Sequence, residues 1–354
     1  MIYKVNDLNN EEKKIYTDFL KSHERCNFQQ SIEWGNVKTS WEKYLAISGD
    51  IKNIKGSVML WVRSVPIFGK LIYISRGPIV DIDDEIILSE IFNEVKQFAK
   101  EIKAFTVMFE PDVLDEKENF KRLLINLGFK IKKGKDLSSS INPTYVFRVN
   151  LKNENIDSII KKFHHKTRYN INYAIKKGIE IEEGNKKSID DFYQLLETTG
   201  IRDEFIIRDK EYYINVWNAF EKENKKIYFA KQDNEILAGI FLIKYGNKVW
   251  YLYGASSNNK RNLMPTYLLQ WQGIKWAIES QCDIYDLMGT PGITKEDKNH
   301  PEYGLFKFKS GYNANLCEFI GQILYINKPI KYKMFMFAEK MMLLYMKIKK
   351  CIKK

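Results

Sequence analysis

The sequence predicts an α+β protein in which one order of strands and helices occurs twice, and three observations carry that expectation. Residues 249–290 read as strand, loop, helix, strand. VWYLYG is β-branched and aromatic, SSNNKRN is turn chemistry, and Tyr267, Leu268, Trp271, Ile274 and Ile278 recur at helical spacing. Residues 44–112 run through the same parts: a strand containing a glycine, an aromatic strand, an amphipathic helix and a strand ending in an acidic residue. The chain has 354 residues and is 44% hydrophobic, enough for two domains with cores of their own.

Taken in order, residues 11–22 have the pattern of an amphipathic helix. In NFQQSIEWGNVKTSW, at 27–41, Trp34 and Lys38 stand one helical turn apart, so a ring and a cation would share a face. Strands follow in YLAISG, GSVMLWV and KLIYIS, the last ending in Arg76-Gly77-Pro78. A helix over 85–102 would bury Ile86, Ile87, Ile91, Phe92, Val95, Phe98 and Ala99, and AFTVMFEPD then reads as a strand stopping at Glu110-Pro111. The polar run KKGKDLSSS and Asn142-Pro143 mark a domain junction.

Beyond it, 160–178 reads as a helix with Phe163, Ile171, Ala174 and Ile175 inward and six cations outward. That pattern suits a phosphate-backbone reader and a solvated basic helix alike. Arg208 and Tyr212 repeat the spacing of Trp34 and Lys38. The strands and helix over 227–290 place Tyr253 and Asp286 at the carboxyl edge of neighbouring strands, where open α/β sheets hold ligands. A Gly/Pro-rich loop leads to LFKFKSGY, read as a strand that buries Phe306 and Phe308 and presents Lys307 and Lys309 on the other face. GQILYIN is a last strand. The tail from Pro329, rich in Met, aromatics and lysine, suits a helix lying against the protein or an anionic membrane.

This order matches the acyl-CoA N-acyltransferase (GNAT) fold. The expected organisation is a first GNAT-like domain at 1–145, a second at 146–320, a cleft between or beside them, and a C-terminal strand and basic amphipathic helix at 321–354 returning to the first domain. Acyl-CoA enzymes use a Gly-rich turn whose amides hold a pyrophosphate at a helix N-terminus. Here GASSNNKRNLMPT, at 254–266, offers bulky residues and Pro265 instead, so acetyl-CoA is not the expected donor. The four cysteines and four histidines lack metal or redox spacing, so no metal or cofactor is implied. No run of eighteen apolar residues occurs and the first residues are too charged for a signal peptide, which places the chain in the cytoplasm. The net charge of +12 favours polyanionic partners, nucleic acid, nucleotide diphosphates or anionic lipid, without choosing among them.

Eight short motifs, in register over almost the whole chain, resemble the Fem (FemABX) family of peptidoglycan interpeptide-bridge aminoacyltransferases. They are W-x-x-x-K at Trp34 and Lys38, RGP from Arg76, YNINYAIKKGI from Tyr169, R-x-x-x-Y at Arg208 and Tyr212, YLYGASS from Tyr251, P-x-Y-x-x-x-W from Pro265, YDLMG from Tyr285 and GLFKFK-x-GY from Gly304. The segment between Ile160 and Asn185 is too short for the coiled-coil arm of the longest members, so the chain resembles the compact type. The resemblance implies two GNAT-like domains and transfer of an amino acid from aminoacyl-tRNA to the stem peptide of a peptidoglycan precursor, UDP-MurNAc-pentapeptide or lipid II. By position, it assigns Lys38, Arg208 and Tyr212 to the diphosphate and sugar end of that precursor. Tyr73, Arg76 and Glu110 would line the first-domain side of the cleft, Tyr253 would lie beside the precursor, and Lys309 would steady charge during transfer. Glu110 stands where an Asp is common.

Attack of an amine on an aminoacyl ester needs alignment, removal of a proton and relief of oxyanion charge, and a lysine supplies the last. Asp286 is a candidate base, although an acidic residue at a strand end also serves as a cap or backbone acceptor. Two rival readings keep the same sequence features: an N-acyltransferase using another acyl donor on a non-peptidoglycan amine, and a non-catalytic tRNA- or membrane-binding module.

Overall fold

The computed structural model describes residues 1–133 and 141–352. The first part of the chain comprises β1 (Ile2–Lys4), α1 (Asn10–Ser22), α2 (Ile32–Val37), β2 (Glu42–Asp50), β3 (Asn53–Val65), β4 (Gly69–Arg76), α3 (Glu85–Glu101), β5 (Thr106–Pro111), α4 (Glu118–Asn126) and β6 (Lys130–Lys132). There follow β7 (Tyr145–Asn150), α5 (Ile156–Lys162), α6 (His165–Lys176), β8 (Glu180–Glu183), α7 (Ile189–Arg202) and α8 (Lys210–Ala219). The second repeat is β9 (Lys225–Gln232), β10 (Glu235–Tyr245), β11 (Lys248–Ser256), α9 (Pro265–Glu279) and β12 (Ile284–Gly289). The chain ends in α10 (Tyr303–Ser310), β13 (Asn315–Glu318), β14 (Gln322–Ile326) and α11 (Pro329–Ile352).

These elements form two compact units. The first contains residues 1–19, 38–133 and 320 onward, and the second residues 20–37 and 134–319. Each has one sheet, and among the described residues each sheet has seven strands, ordered β1-β2-β3-β4-β5-β14-β6 in the first and β8-β9-β10-β11-β12-β7-β13 in the second. Both orders run antiparallel except for one parallel pair, β4 with β5 and β11 with β12. The duplication therefore extends to strand direction as well as strand order. In each unit a helix crosses over between the parallel strands, as a parallel pair requires. In the first unit this is α3, whose N-terminus is capped by the Asp84 carboxylate accepting from the Ile87 amide at 3.0 Å.

The sheets are lined with β-branched and aromatic residues because they are covered by helices. Ala46, Val58, Leu60, Ile72, Ile74, Val107 and Phe109 of the first sheet pack with Leu88, Ile91, Phe92 and Val95 of α3. In the second, Leu242, Val249, Tyr285 and Leu287 pack with Leu268, Leu269, Trp271, Ile274 and Ala277 of α9.

Several sequence expectations are corrected here. By chain order residues 20–37 fall in the 1–145 domain, yet they cluster with the second unit. Phe28 meets Trp250 at 5.0 Å between ring centroids, the Tyr245 hydroxyl donates to Glu33 at 3.2 Å, and the Lys248 ammonium donates to the Glu24 carbonyl at 2.8 Å. Ile86 points to solvent at 82% exposure while Leu88 takes its place in the core. The basic helix expected over 160–178 is two helices, α5 and α6, broken at Phe163 and His164, and Ile175 is exposed while Phe163, Ile171 and Ala174 are buried. The segment at 305–312 is helical through Ser310 rather than a strand. Most of the polar run KKGKDLSSS lies outside the described residues.

Candidate active site

In the second unit the parallel strands stay together for only three registered pairs, Lys248 with Ile284, Val249 with Tyr285 and Trp250 with Asp286. Both then bulge. On β11 the register passes from Leu242–Tyr251 to Phe241–Tyr253, so Leu252 is the extra residue. On β12 it passes from Asp286–Arg148 to Gly289–Val146, so Leu287 and Met288 face the single Phe147. A bulge bends its strand and re-aims side chains, and here two of them end the pairing where the recess begins.

The recess holds about 460 Å³ and is lined by Tyr251, Tyr253 and Gly254 of β11, Met288 of β12, Lys309 of α10, and the wall from Phe205 to Tyr213. Lys309 brings a buried ammonium to it. Phe306 and Lys309 are one turn apart on α10 and both are buried, while Lys307 faces solvent. The helix is fixed by aromatic contacts, Phe306 on Phe147 at 5.2 Å, Phe308 on Tyr267 at 4.9 Å and on Tyr312 at 5.6 Å. Gly311 follows because a Cβ there would stand 2.2 Å from the Thr167 hydroxyl.

The Lys309 ammonium donates to the carbonyls of Leu287 at 2.6 Å and Gly289 at 2.5 Å, and lies 5.8 Å from the centre of the Tyr251 ring. The two carbonyls flank Met288, whose φ of 60° is a left-handed conformation unusual for a side chain of that size. Burial lowers the Lys309 pKa to about 8, with the Asp286 carboxylate pulling the other way. Asp286 itself is committed: Arg148 donates to it at 2.8 Å and the Met288 amide at 2.7 Å. It is thus an ion-pair partner and backbone acceptor.

Arg208, Tyr212 and Tyr253 line the same recess as Lys309. The two tyrosine hydroxyls share a hydrogen bond of 2.9 Å, and the Arg208 guanidinium lies 5.6 Å from the Tyr212 ring centre. Arg208 precedes α8 rather than belonging to it, and the next residue, Asp209, caps the helix, its carboxylate accepting from the Tyr212 amide at 3.0 Å. Burial pushes the Tyr212 and Tyr253 hydroxyls up, so both remain neutral donors and acceptors near neutral pH.

The other sequence-predicted residues lie in the first unit. The Tyr73 hydroxyl donates to Glu110 at 2.7 Å, and Gln322 donates to the other Glu110 oxygen at 3.1 Å. Burial and the Glu110 charge push the Tyr73 hydroxyl far up. Arg76 ends β4 with φ 60° and is buried. Lys38 is half-buried just past α2, which ends at Val37, so it does not share a helix with Trp34.

Sequence reasoning missed Tyr251, the Leu287 and Gly289 carbonyls and Gly254. One signal was present: in YLYG the two tyrosines alternate, the spacing of one strand face. Gly254 leaves room for Tyr251, since a Cβ there would meet its hydroxyl at 1.7 Å. A second recess, of about 680 Å³, lies on the other side of α10. Its lining includes His164, Lys166, Lys295, Lys298 and Lys307, with Glu296 the acidic member. Burial lowers the His164 pKa, as do the nearby His165, Lys166, Lys307 and Lys295.

The FemAB family matches this chain at residues 12–235 and 223–340. The chain belongs to the FemAB family. Among its relatives is the lipid II:glycine glycyltransferase of Staphylococcus epidermidis, 27% identical over 88% of this chain and 91% of the relative. That alignment runs over 380 positions while taking in 88% of 354 residues, about 312, so about 68 positions of the relative have no counterpart here and this FemAB member is compact. A crystal structure of FemX superposes with a TM-score of 0.83 at 26% identity, covering 94% of this chain and 99% of that one. A tandem GNAT protein from the clavulanic acid biosynthesis pathway shares the fold, with a TM-score of 0.53 at 9% identity over 92% of this chain and 98% of that one. The two units are therefore tandem GNAT-like domains.

Proposed function

We propose that this protein is a tRNA-dependent aminoacyltransferase that adds an amino acid to the stem peptide of lipid II, acting at the cytoplasmic face of the membrane. The observation that carries the reading is the buried Lys309 at the end of the parted strands, in one recess with Arg208, Tyr212 and Tyr253. The glycyltransferase relatives act on lipid II by name, which supports a peptidoglycan acceptor.

The acceptor amine attacks the ester carbonyl of the aminoacyl donor. A C–N bond forms, the carbonyl oxygen gains negative charge, and collapse breaks the C–O bond to the ribose hydroxyl of the tRNA. An ammonium has three donors, and two of the Lys309 N–H groups are held by backbone carbonyls. The third is left for the oxyanion, with the amine held in place before the charge develops. Arg208 and the Tyr212–Tyr253 pair offer a cation and neutral hydroxyls to a phosphorylated sugar. Asp286 is occupied by Arg148, so the proton released by the attacking amine goes to solvent or to a carboxylate of the acceptor peptide, and the departing ribose oxygen takes a proton from the same source to leave as the free hydroxyl. The cationic recess on the far side of α10 suits the phosphodiester backbone of an RNA 3′ end, so that Lys307 and Lys309 would serve donor and bond exchange from one helix.

The test is a transfer assay with purified protein, a panel of aminoacyl-tRNAs and lipid II, read by the mass of the product. The expected result is addition of one or more amino acids that is abolished by ribonuclease treatment of the donor. Transfer that survives ribonuclease, or no transfer from any aminoacyl-tRNA, would overturn the reading.

A further inference from the structure

The helix α11 has two apolar sides. Tyr332, Phe335 and Met336 are partly covered, and Phe335 packs on Phe68 at 5.6 Å and Phe105 at 5.2 Å, which fixes the helix to the first unit. Ile330, Met334, Phe337, Met341 and Tyr345 recur at intervals of three or four, so they form a second stripe, and all five are exposed. Phe337, for example, is 66% exposed, on a chain whose other large apolar side chains are mostly buried.

The charges around that stripe say what covers it. By helical geometry Lys331 flanks it on one side and Lys333 and Lys340 on the other, while Glu339 falls on the opposite face. From Lys328 to the end the sequence has nine lysines and one acidic residue, so this segment carries eight of the twelve net positive charges. An apolar stripe bordered on both sides by long cationic side chains fits an anionic bilayer interface, where rings enter the acyl boundary and lysines reach the phosphates. A second copy of this chain would instead bring lysine borders against lysine borders. Among the described residues no helix is long and apolar enough to cross a membrane, so α11 would lie on the surface.

We infer that α11 docks the protein on anionic lipid through Ile330, Met334, Phe337, Met341 and Tyr345. This rests on the reading of lipid II as acceptor only for its purpose, since docking would restrict the enzyme's search to the plane that holds a lipid-linked substrate.

The test uses the full chain and its M334S/F337S/M341S variant, whose changes fall on exposed positions, with flotation on vesicles of phosphatidylglycerol and phosphatidylcholine or of phosphatidylcholine alone. The expected result is flotation of the parent protein with the anionic vesicles only, reduced about tenfold or more in the variant and weakened by salt. Equal flotation of parent and variant, or none by the parent, would overturn the inference. So would a dimer of the parent in solution that the variant loses, because the stripe would then belong to a second copy. Transfer to lipid II dispersed in detergent, where no bilayer is present, should be equal in both proteins. Loss of transfer in both, with vesicle binding intact in the parent, would count against the proposed function and leave the docking surface standing.

Discussion

The two parallel strand pairs of this molecule share a topology and differ in how far they stay paired. In the first unit β4 and β5 remain in register over six pairs, from Leu71 with Thr106 to Arg76 with Pro111. In the second unit β11 and β12 pair over three and then part at the bulges of Leu252 and of Leu287 and Met288. At the end of the closed pair the polar groups of Tyr73, Glu110 and Gln322 bond to one another. At the end of the open pair the freed carbonyls of Leu287 and Gly289 hold a lysine that comes from a helix elsewhere in the chain. A duplicated fold thus gives a recess in one copy through two local insertions in the ladder, with the strand order unchanged.

If the open pair is where bond exchange occurs, its lysine should dominate turnover. Lys309→Met should lower kcat by about 10²–10³, the scale of losing one oxyanion donor, with a smaller change in KM. Near-normal turnover of the folded variant would remove Lys309 from the mechanism. On the wall of the same recess, Arg208→Ala should raise the KM for the acceptor about tenfold while kcat changes less, as expected for a charged contact made equally in ground and transition states. A change confined to kcat would instead move Arg208 into the bond-exchange step.

At the closed pair the expected effect is on stability. Tyr73→Phe removes a donor to a buried carboxylate, so thermal or urea unfolding should show a loss of about 1–2 kcal/mol, with turnover reduced far less than by Lys309→Met. Unchanged stability with a fall in turnover matching that of Lys309→Met would mean that the two pairs are functionally alike.

Much of the fold was legible, because its long strands are β-branched and aromatic and its long helices have a clear period, as in α3 and α9. The site was legible only in part. LFKFKSGY spans too few residues to separate a period of two from one of 3.6, so its pattern sets Lys309 beside Lys307 on one strand face, whereas the tertiary contacts of Phe306 and Phe308 make Lys309 a buried helical residue apart from Lys307. The bulge at Leu252 leaves no composition signal, and Met288 in a left-handed conformation runs against residue preference. Nor does local sequence reveal that residues 20–37 pack on Trp250 and Tyr245, since those contacts join positions more than 200 apart in the chain.

If Lys309 steadies the oxyanion, the pH dependence of its contribution to transfer should follow the protonation of its amine. Burial holds its pKa at about 8, so the group is protonated below that value and loses its proton as pH rises through it. The ratio of the single-turnover rates of the parent protein and Lys309→Met cancels the titration of the acceptor amine, which both share. That ratio should be constant below a pH of about 8 and fall with rising pH above it, by up to about tenfold per unit. A ratio that stays constant from about pH 6 to about pH 10 would contradict a charged Lys309 steadying the oxyanion.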